Sequence, residues 1–437
     1  MSRRTSQLSI RRGQDKVRAS KASHNSGRST YGQTLFNAIA ILLGIGMLSE
    51  PLAFAYAGWI GGTTIIIFYG VITCYTAKIL AHIILDDPRL KSYSDIGRKA
   101  FGPRSGPWIN ALFCLELFTV SVALVTLYAD SLYAVMPTFS ANTYKLLGII
   151  LLIPTMMLPL SVLSFTSIIG IVSTLLIIAV MLIDGLSKRD SPGSIWNPAD
   201  TSLGVRNVGE LGLAFGLFMA GFSGHAVVPS LVRDMIDPTQ FDDMITQAFI
   251  AATTIYAVIG IAGYLMFGNS VSDEFSQDLA KHSIYPVLNK IALWGLVLAP
   301  LSKFALATRP LNLTLEIILG IETANVSIDD HDGKSTMRDP ESIANPIKRR
   351  GTLNDISTAI ERAIFTACSV AVSIFVPEFA SMMAFLGAFS SFLLCVIGPV
   401  SAKVALARRC GFWDAFLLVS GLFMATWGTI AAVWSMQ

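Results

Sequence analysis

Charge is what this sequence has least of. Asp, Glu, Lys and Arg make up 14% of its 437 residues, against about 25% in an ordinary soluble domain. So few charges cannot cover a water-facing surface, which excludes a soluble globular protein of this length. Cysteine is sparse too. Cys74, Cys114, Cys368, Cys395 and Cys410 show no zinc-ligand spacing and read as packed, reduced thiols with no disulfides expected. No HExxH, GxSxG or phosphate-loop motif occurs, so an enzyme is not expected, nor any catalytic residue, metal site or cofactor. There is no ring-forming filter motif and no arginine repeat of the voltage-sensor kind, which argues against a channel. No nucleic-acid partner is expected.

What is present is apolar and continuous. Hydrophobic residues make up 53% of the chain and the mean hydropathy is +0.60. A chain like this needs lipid as solvent, and lipid admits only helices or a closed barrel. The apolar runs do not alternate and approach the ~20 residues that a helical span requires. The expectation is an all-α membrane protein with about eleven spans. They are placed at 33–57, 59–84, 107–136, 144–160, 162–184, 209–232, 244–268, 285–318, 358–377, 379–400 and 412–434. Pro159 with Ser161 and Ser164 predicts a tight turn between the fourth and fifth.

Two polar stretches flank or interrupt this transmembrane domain, 32–437. Residues 1–31 form a basic tail with no apolar core, so they are no secretory signal and read as disordered and cytosolic. Residues 321–357 read as a cytosolic linker, so the sequon at Asn325 is a chance match. Basic residues set the orientation. Arg89, Lys91, Arg98, Lys99 and Arg104 follow span 2, Lys348, Arg349 and Arg350 precede span 9, and Lys403, Arg408 and Arg409 precede span 11. With an odd number of spans all lie on the side of the tail, although Lys188 and Arg189 dissent. The N-terminus is therefore expected in the cytosol.

Glycine interrupts two spans. Span 1 holds Gly44-Ile45-Gly46 and then Pro51; span 6 holds Gly221-Phe222-Ser223-Gly224 and then Pro229. Glycine is costly inside a helix, and unwound backbone survives within a membrane only where it is buried or lines a cavity. Helix halves ending there offer N–H groups to anions and carbonyls to cations. Spans 1 and 6 also begin two successive five-helix sets of opposite orientation, the arrangement of an inverted repeat. Paired breaks at matching positions point to a transporter site; the alternative is that the glycines only allow close helix packing.

The same residues carry a resemblance. Asn37-Ala38-Ile39 through Gly44-Ile45-Gly46-Met47-Leu48 and Pro51 resembles the first helix of the amino acid/auxin permease family. Tyr93-Ser94-Asp95-Ile96-Gly97 with Ala100-Phe101-Gly102 resembles that family's loop after helix 2. Gly221-Phe222-Ser223-Gly224-His225, followed by Pro229, Met235, Pro238 and Phe241, resembles its helix 6. Phe385-Leu386-Gly387-Ala388-Phe389 and Pro399 resembles its helix 10. Within the family the chain is similar to the vacuolar amino acid transporters, which resemble vesicular inhibitory amino acid transporters. The resemblance implies a LeuT-like 5+5 inverted repeat and secondary active, proton-coupled movement of amino acids at the vacuolar membrane.

Candidate site residues follow from the breaks and that resemblance. Free N–H groups around Gly46, Met47 and Leu48, beside Gly44 and Ile45, would take a substrate carboxylate. Carbonyls near Ala220 and Phe222, next to Ser223, would take the ammonium, and Met219 and Phe222 would line a side-chain pocket. Glu116, near the middle of span 3, suits a proton carrier or a structural partner for Lys303. In this fold helix 8 faces helix 1 near a site that binds sodium in some relatives. Lys303 could replace that ion or snorkel to the interface, while Ser302 keeps sodium coupling open. His225 follows the second break, and histidine titrates in the physiological range; a neutral hydrogen-bonding role is the alternative. Asp130 and Asp184 lie near span ends and read as interfacial. The partners implied are an amino acid and the lipid bilayer, with a proton as coupling ion and sodium as the alternative. A sensor that binds amino acids with little flux stays open beside the carrier.

Overall fold

The computed structural model describes residues 27–87, 89–158, 160–319 and 352–436. The tail through residue 26 and the linker at 320–351 lie outside the described residues. The last tail residues are ordered, contrary to expectation, because they pair with another element. The Ser29 N–H donates to Asp234 O at 2.7 Å, and the Ile236 N–H donates to Ser29 O at 3.0 Å. A capping box then starts the first helix: Thr30 Oγ1 accepts from the Gln33 N–H, and Gln33 Oε1 accepts from the Thr30 N–H.

Span 1 is broken as expected. Tyr31–Leu42 ends at Leu43, a 3-10 turn covers Ile45–Ser49, and a helix resumes at Glu50. That helix runs to Asp86 but turns at Gly58, whose φ of 69° suits glycine alone. Residues 50–57 complete span 1 and 59–86 make span 2. The following spans are Ser105–Val135, Ala141–Met156 and Leu160–Ser187. Span 6 is Val208–Gly221, a break, and Val228–Asp234. Phe241–Phe267, Pro286–Ile318 and Thr352–Phe375 come next. Span 10 runs from Phe379 to Ala407 through widened π-type turns at Leu386–Ser391 and Leu393–Ile397, and Phe412–Ser435 is the last.

Among the described residues nine helices are long and apolar enough to cross a membrane. The longest, Ile45–Asp86, makes two crossings because of Gly58, and Ala141–Met156 is apolar but shorter. Counted in that way, the eleven expected spans are all present. Span 9 starts at Thr352, six residues before expected, so the helix takes the end of the stretch read as linker.

Two connections expected as loops are helices. Tyr93–Phe101 forms because Ser92 and Asp95 cap its start reciprocally. Phe275–His282 buries Phe275 and Leu279 on one face. Asp184, near the end of span 5, is buried and accepts a hydrogen bond from the Asn289 amide.

In lipid, helices associate through close packing of small residues, not through a hydrophobic drive. The resumed half of span 1 shows this against span 7: the Phe54 ring lies over Gly260 and the Pro51 ring over Gly263. Phe54 also meets Phe218 of span 6 edge-on, ring centroids 5.3 Å apart. Span 8 packs on spans 3 and 5, completing the frame around the broken helices. Ile60, Ile150, Val172 and Val419 project outward as the lipid-facing surface.

The end of the bundle away from the N-terminus is closed by the segment after span 7. Ser49 Oγ donates to Asp273 O at 2.7 Å, and the Ala380 N–H donates to Asp273 Oδ2 at 3.3 Å. Glu274 is fully buried beside it. Burial first, then the charges of Asp130 and Asp273, push the Glu274 carboxyl well above the usual carboxylate range, against a smaller opposing pull from Lys145. Asp273 is raised as well, by burial first and then by Glu378 and Asp278. An acid raised in the folded state adds stability that is complete below its ordinary range and lost as pH rises through the folded value. Amide exchange across 271–282, corrected for intrinsic rate, is therefore expected to be slower at acidic than at alkaline pH; the reverse order would contradict this account.

Candidate functional site

The two breaks meet at the centre of the bundle. A Cβ placed on Gly46 would lie 3.1 Å from Gly221 N and 3.2 Å from the Ala220 carbonyl carbon, so any side chain there requires the span 6 backbone to give by a few tenths of an ångström. In span 6, Gly224 turns the chain with φ of 151°, a conformation that side chains rarely adopt. The Tyr256 hydroxyl of span 7 ties the ends of the two half-helices, contacting Leu42 O and, at 2.8 Å, Gly221 O.

Between the breaks lies a cavity of about 500 Å³, within the range of small-molecule sites, roughly 300–1,000 Å³. Gly44, Ile45 and Gly46 line it from span 1, and Ala220, Gly221, Ser223 and Gly224 from span 6. Ala40 and Ile41 before the first break, and Ala226 and Val227 after the second, also line it. Those stretches carry the cavity toward the end of the bundle that bears the N-terminus. Glu116 and Lys303 are its two ionisable lining residues, and the remaining side chains are mostly aliphatic.

Glu116 is almost buried and accepts a hydrogen bond from Ser223 Oγ at 3.2 Å, linking span 3 to the broken part of span 6. Lys303 packs its alkyl stem on Gly170 of span 5, where an added Cβ would come within 3.0 Å of Lys303 Cε. Its position on the cavity wall does not match snorkelling to the interface. No ion pair joins Glu116 to Lys303 among the described residues.

Other expected residues sit elsewhere. Met47 and Leu48 are buried behind the first break. Met219 and Phe222 do not line the cavity: both are fully buried, Met219 within the helix before the break and Phe222 at its end. Phe222 stacks near Phe249 and meets Tyr256 edge-on, centroids 5.3 Å apart. His225 also faces away: its Nε2 lies 3.0 Å from both Thr76 Oγ1 and Thr73 O of span 2. Ser302 Oγ donates to Ala299 O within its own helix. Leu386, on a widened turn of span 10, does line the cavity.

Two residues were missed. Tyr256 carries no sequence mark that separates it from other aromatic residues. Glu50 does carry one: it is an acid inside the apolar run of span 1, directly before Pro51. It is 1% exposed, and neither carboxyl oxygen has a hydrogen-bond partner.

Residues 27–436 match the family model described as transmembrane amino acid transporter protein. The chain belongs to that family. It is 32% identical over 300 residues to amino acid transporter AVT1H of Arabidopsis thaliana, covering 67% of this chain and 68% of that one. Amino acid transporters AVT1D and AVT1J of the same plant are each 26% identical, over 92% and 93% of this transporter and 70% and 91% of their own lengths. Among solved structures the transporter is similar to Mhp1, a nucleobase-cation-symport-1 family transporter, in a closed conformation. The TM-score is 0.51 at 14% identity, covering 94% of this chain and 93% of that one. At such identity the likeness concerns the fold alone, and it agrees with a LeuT-like 5+5 repeat whose first and sixth helices are broken. The transporter is thus a multi-pass membrane carrier of amino acids, not an enzyme.

Proposed function

We propose that this transporter moves neutral amino acids across the vacuolar membrane by alternating access, coupled to protons. The observation that carries the reading is the cavity itself: two helix breaks, one acid and one ammonium in an otherwise aliphatic wall. A zwitterion fits that balance. The 3-10 turn at Ile45–Ser49 opens without a side-chain cap, so its first N–H groups are available to a carboxylate. Lys303 adds positive charge. Glu116 and the carbonyls around Ala220 suit the ammonium, and Ile45, Val120, Leu306 and Leu386 suit an apolar side chain. An acidic or basic side chain would meet no third charge.

The basic loops after spans 2 and 10 share the end at which the cavity lies. By the positive-inside rule that end is cytosolic, so this conformation faces the cytosol. The resemblance to the vacuolar branch supports the membrane assignment.

Purified protein in proteoliposomes tests the reading. Uptake is expected to follow a pH gradient imposed without sodium, and to be competed by neutral rather than charged amino acids. Sodium-driven uptake would replace the proton, and absent flux in folded protein would favour a sensor. Lys303→Ala is expected to raise KM roughly tenfold or more, since a charged hydrogen bond contributes about 1.5–3 kcal/mol. An unchanged KM would remove Lys303 from the substrate site.

A further inference from the structure

One of the membrane-embedded acids stands apart from the cavity, next to the first break. Glu50 opens the helix that follows the first break, one position before Pro51. Its place in the first turn of the helix favours a carboxylate, but neither carboxyl oxygen has a hydrogen-bond partner among the described residues. On span 6 it abuts backbone: a Cβ on Gly221 would lie 2.8 Å from Glu50 Oε1. On span 7 it faces Tyr256. The turn before it, Ile45–Ser49, has no ionisable side chain. Tyr256 is the one titratable neighbour among the described residues, and its hydroxyl is already committed to the carbonyls of Leu42 and Gly221. Among the described residues no lysine, arginine or histidine is hydrogen-bonded to the carboxyl. An unpaired buried carboxylate is so unfavourable that the group is seated here as the neutral acid.

Gly221 separates this acid from the cavity. Its backbone lines the cavity on one side and touches the Glu50 carboxyl on the other. Whatever occupies the second break is therefore one residue away from the acid. We propose that Glu50 is the proton carrier of the transport cycle. This rests on the proton-coupled reading above and assigns the proton to a residue other than Glu116, which faces the substrate and Ser223. In the state described here the carboxyl is sealed and keeps its proton. Opening of the opposite end draws the Glu50 turn away from Gly221, admits water, and lets the carboxyl release one proton to that side. The carboxylate recovers a proton from cytosolic water through the second break as the Glu50 turn moves back against Gly221, so one proton crosses per cycle and no other group is consumed. Occupancy of the cavity, felt through Gly221, sets which form is resealed.

Three assays on full-length protein in proteoliposomes test this: accumulation under a pH gradient, substrate counterflow without one, and infrared difference spectra of the carboxylic acid band. In Glu50→Gln, which keeps the shape of a neutral acid, counterflow is expected to persist with a flat pH profile. Accumulation under the gradient is expected to fall to its level without one, and the acid band to lose a component. Glu50→Asp is expected to restore a pH-dependent profile. Accumulation by Glu50→Gln equal to the wild type would overturn the proposal and leave proton coupling standing. Loss of counterflow together with accumulation would also overturn it, by showing a structural role. A wild type indifferent to the pH gradient would remove proton coupling itself, and this assignment with it.

Discussion

Gly46→Leu is expected to abolish uptake in a protein that still folds. The added side chain must enter where Gly46 meets the backbone of Ala220 and Gly221, with 3.1 Å available to the Cβ alone. It either pushes the two breaks apart or fills the cavity that Gly46 lines. Misplacing a binding group by about 1 Å costs roughly a hundredfold in rate, and here both halves of the site shift together. Gly44→Ala is the matched control. It lines the same cavity, but the nearest atom to a Cβ there is 3.8 Å away, so the backbone keeps its place. Saturation uptake on both variants, normalised to folded protein by gel filtration, checks the pair. Normal transport by Gly46→Leu would remove the first break from the site.

Gly387→Leu is expected to prevent folding altogether. A Cβ on Gly387 would overlap the carbonyl oxygen of Gly216 and stand 2.7 Å from Ala220 N. The approach is mutual, since a Cβ on Gly216 would overlap Ala384 O. Overpacking costs about 1–3 kcal/mol where side chains can adjust. Here the obstacle is helix backbone, which adjusts only if span 6 leaves span 10, so the loss exceeds that range. The readout is the yield of monodisperse protein in detergent. A wild-type yield and melting temperature would show that spans 6 and 10 do not pack in this way.

Much of this architecture was legible beforehand, for identifiable reasons. Spans are read from continuous apolar length, which lipid dictates. The breaks are read from Gly44-Ile45-Gly46 and Gly221-Phe222-Ser223-Gly224, because glycine within a membrane helix needs a reason. Side-chain direction past a break is not legible in that way. A regular helix fixes the phase of its residues, but an unwound stretch resets it. Phe222 was therefore expected to line the pocket and His225 to serve coupling beside the break, whereas Phe222 packs on span 7 and His225 on span 2. Glu50 went unread because the adjacent Pro51 already explained the interruption. Glu116 and Lys303 were found by the rule that an ionisable group in a span has a purpose; applied to every acid, the same rule reaches Glu50.

Two backbone hydrogen bonds between Ser29 and the 234–236 stretch fasten the entrance of the first span to the exit of the sixth. The outer halves of both broken helices flank the cavity on that side, and this clasp yokes them into a single flap instead of two independent doors. To swing separately they would first have to shed both bonds. A load applied to the chain ahead of Gly27 is consequently shared by both halves of the flap at once, which gives the amino terminus mechanical leverage over the mouth of the site without its touching the substrate.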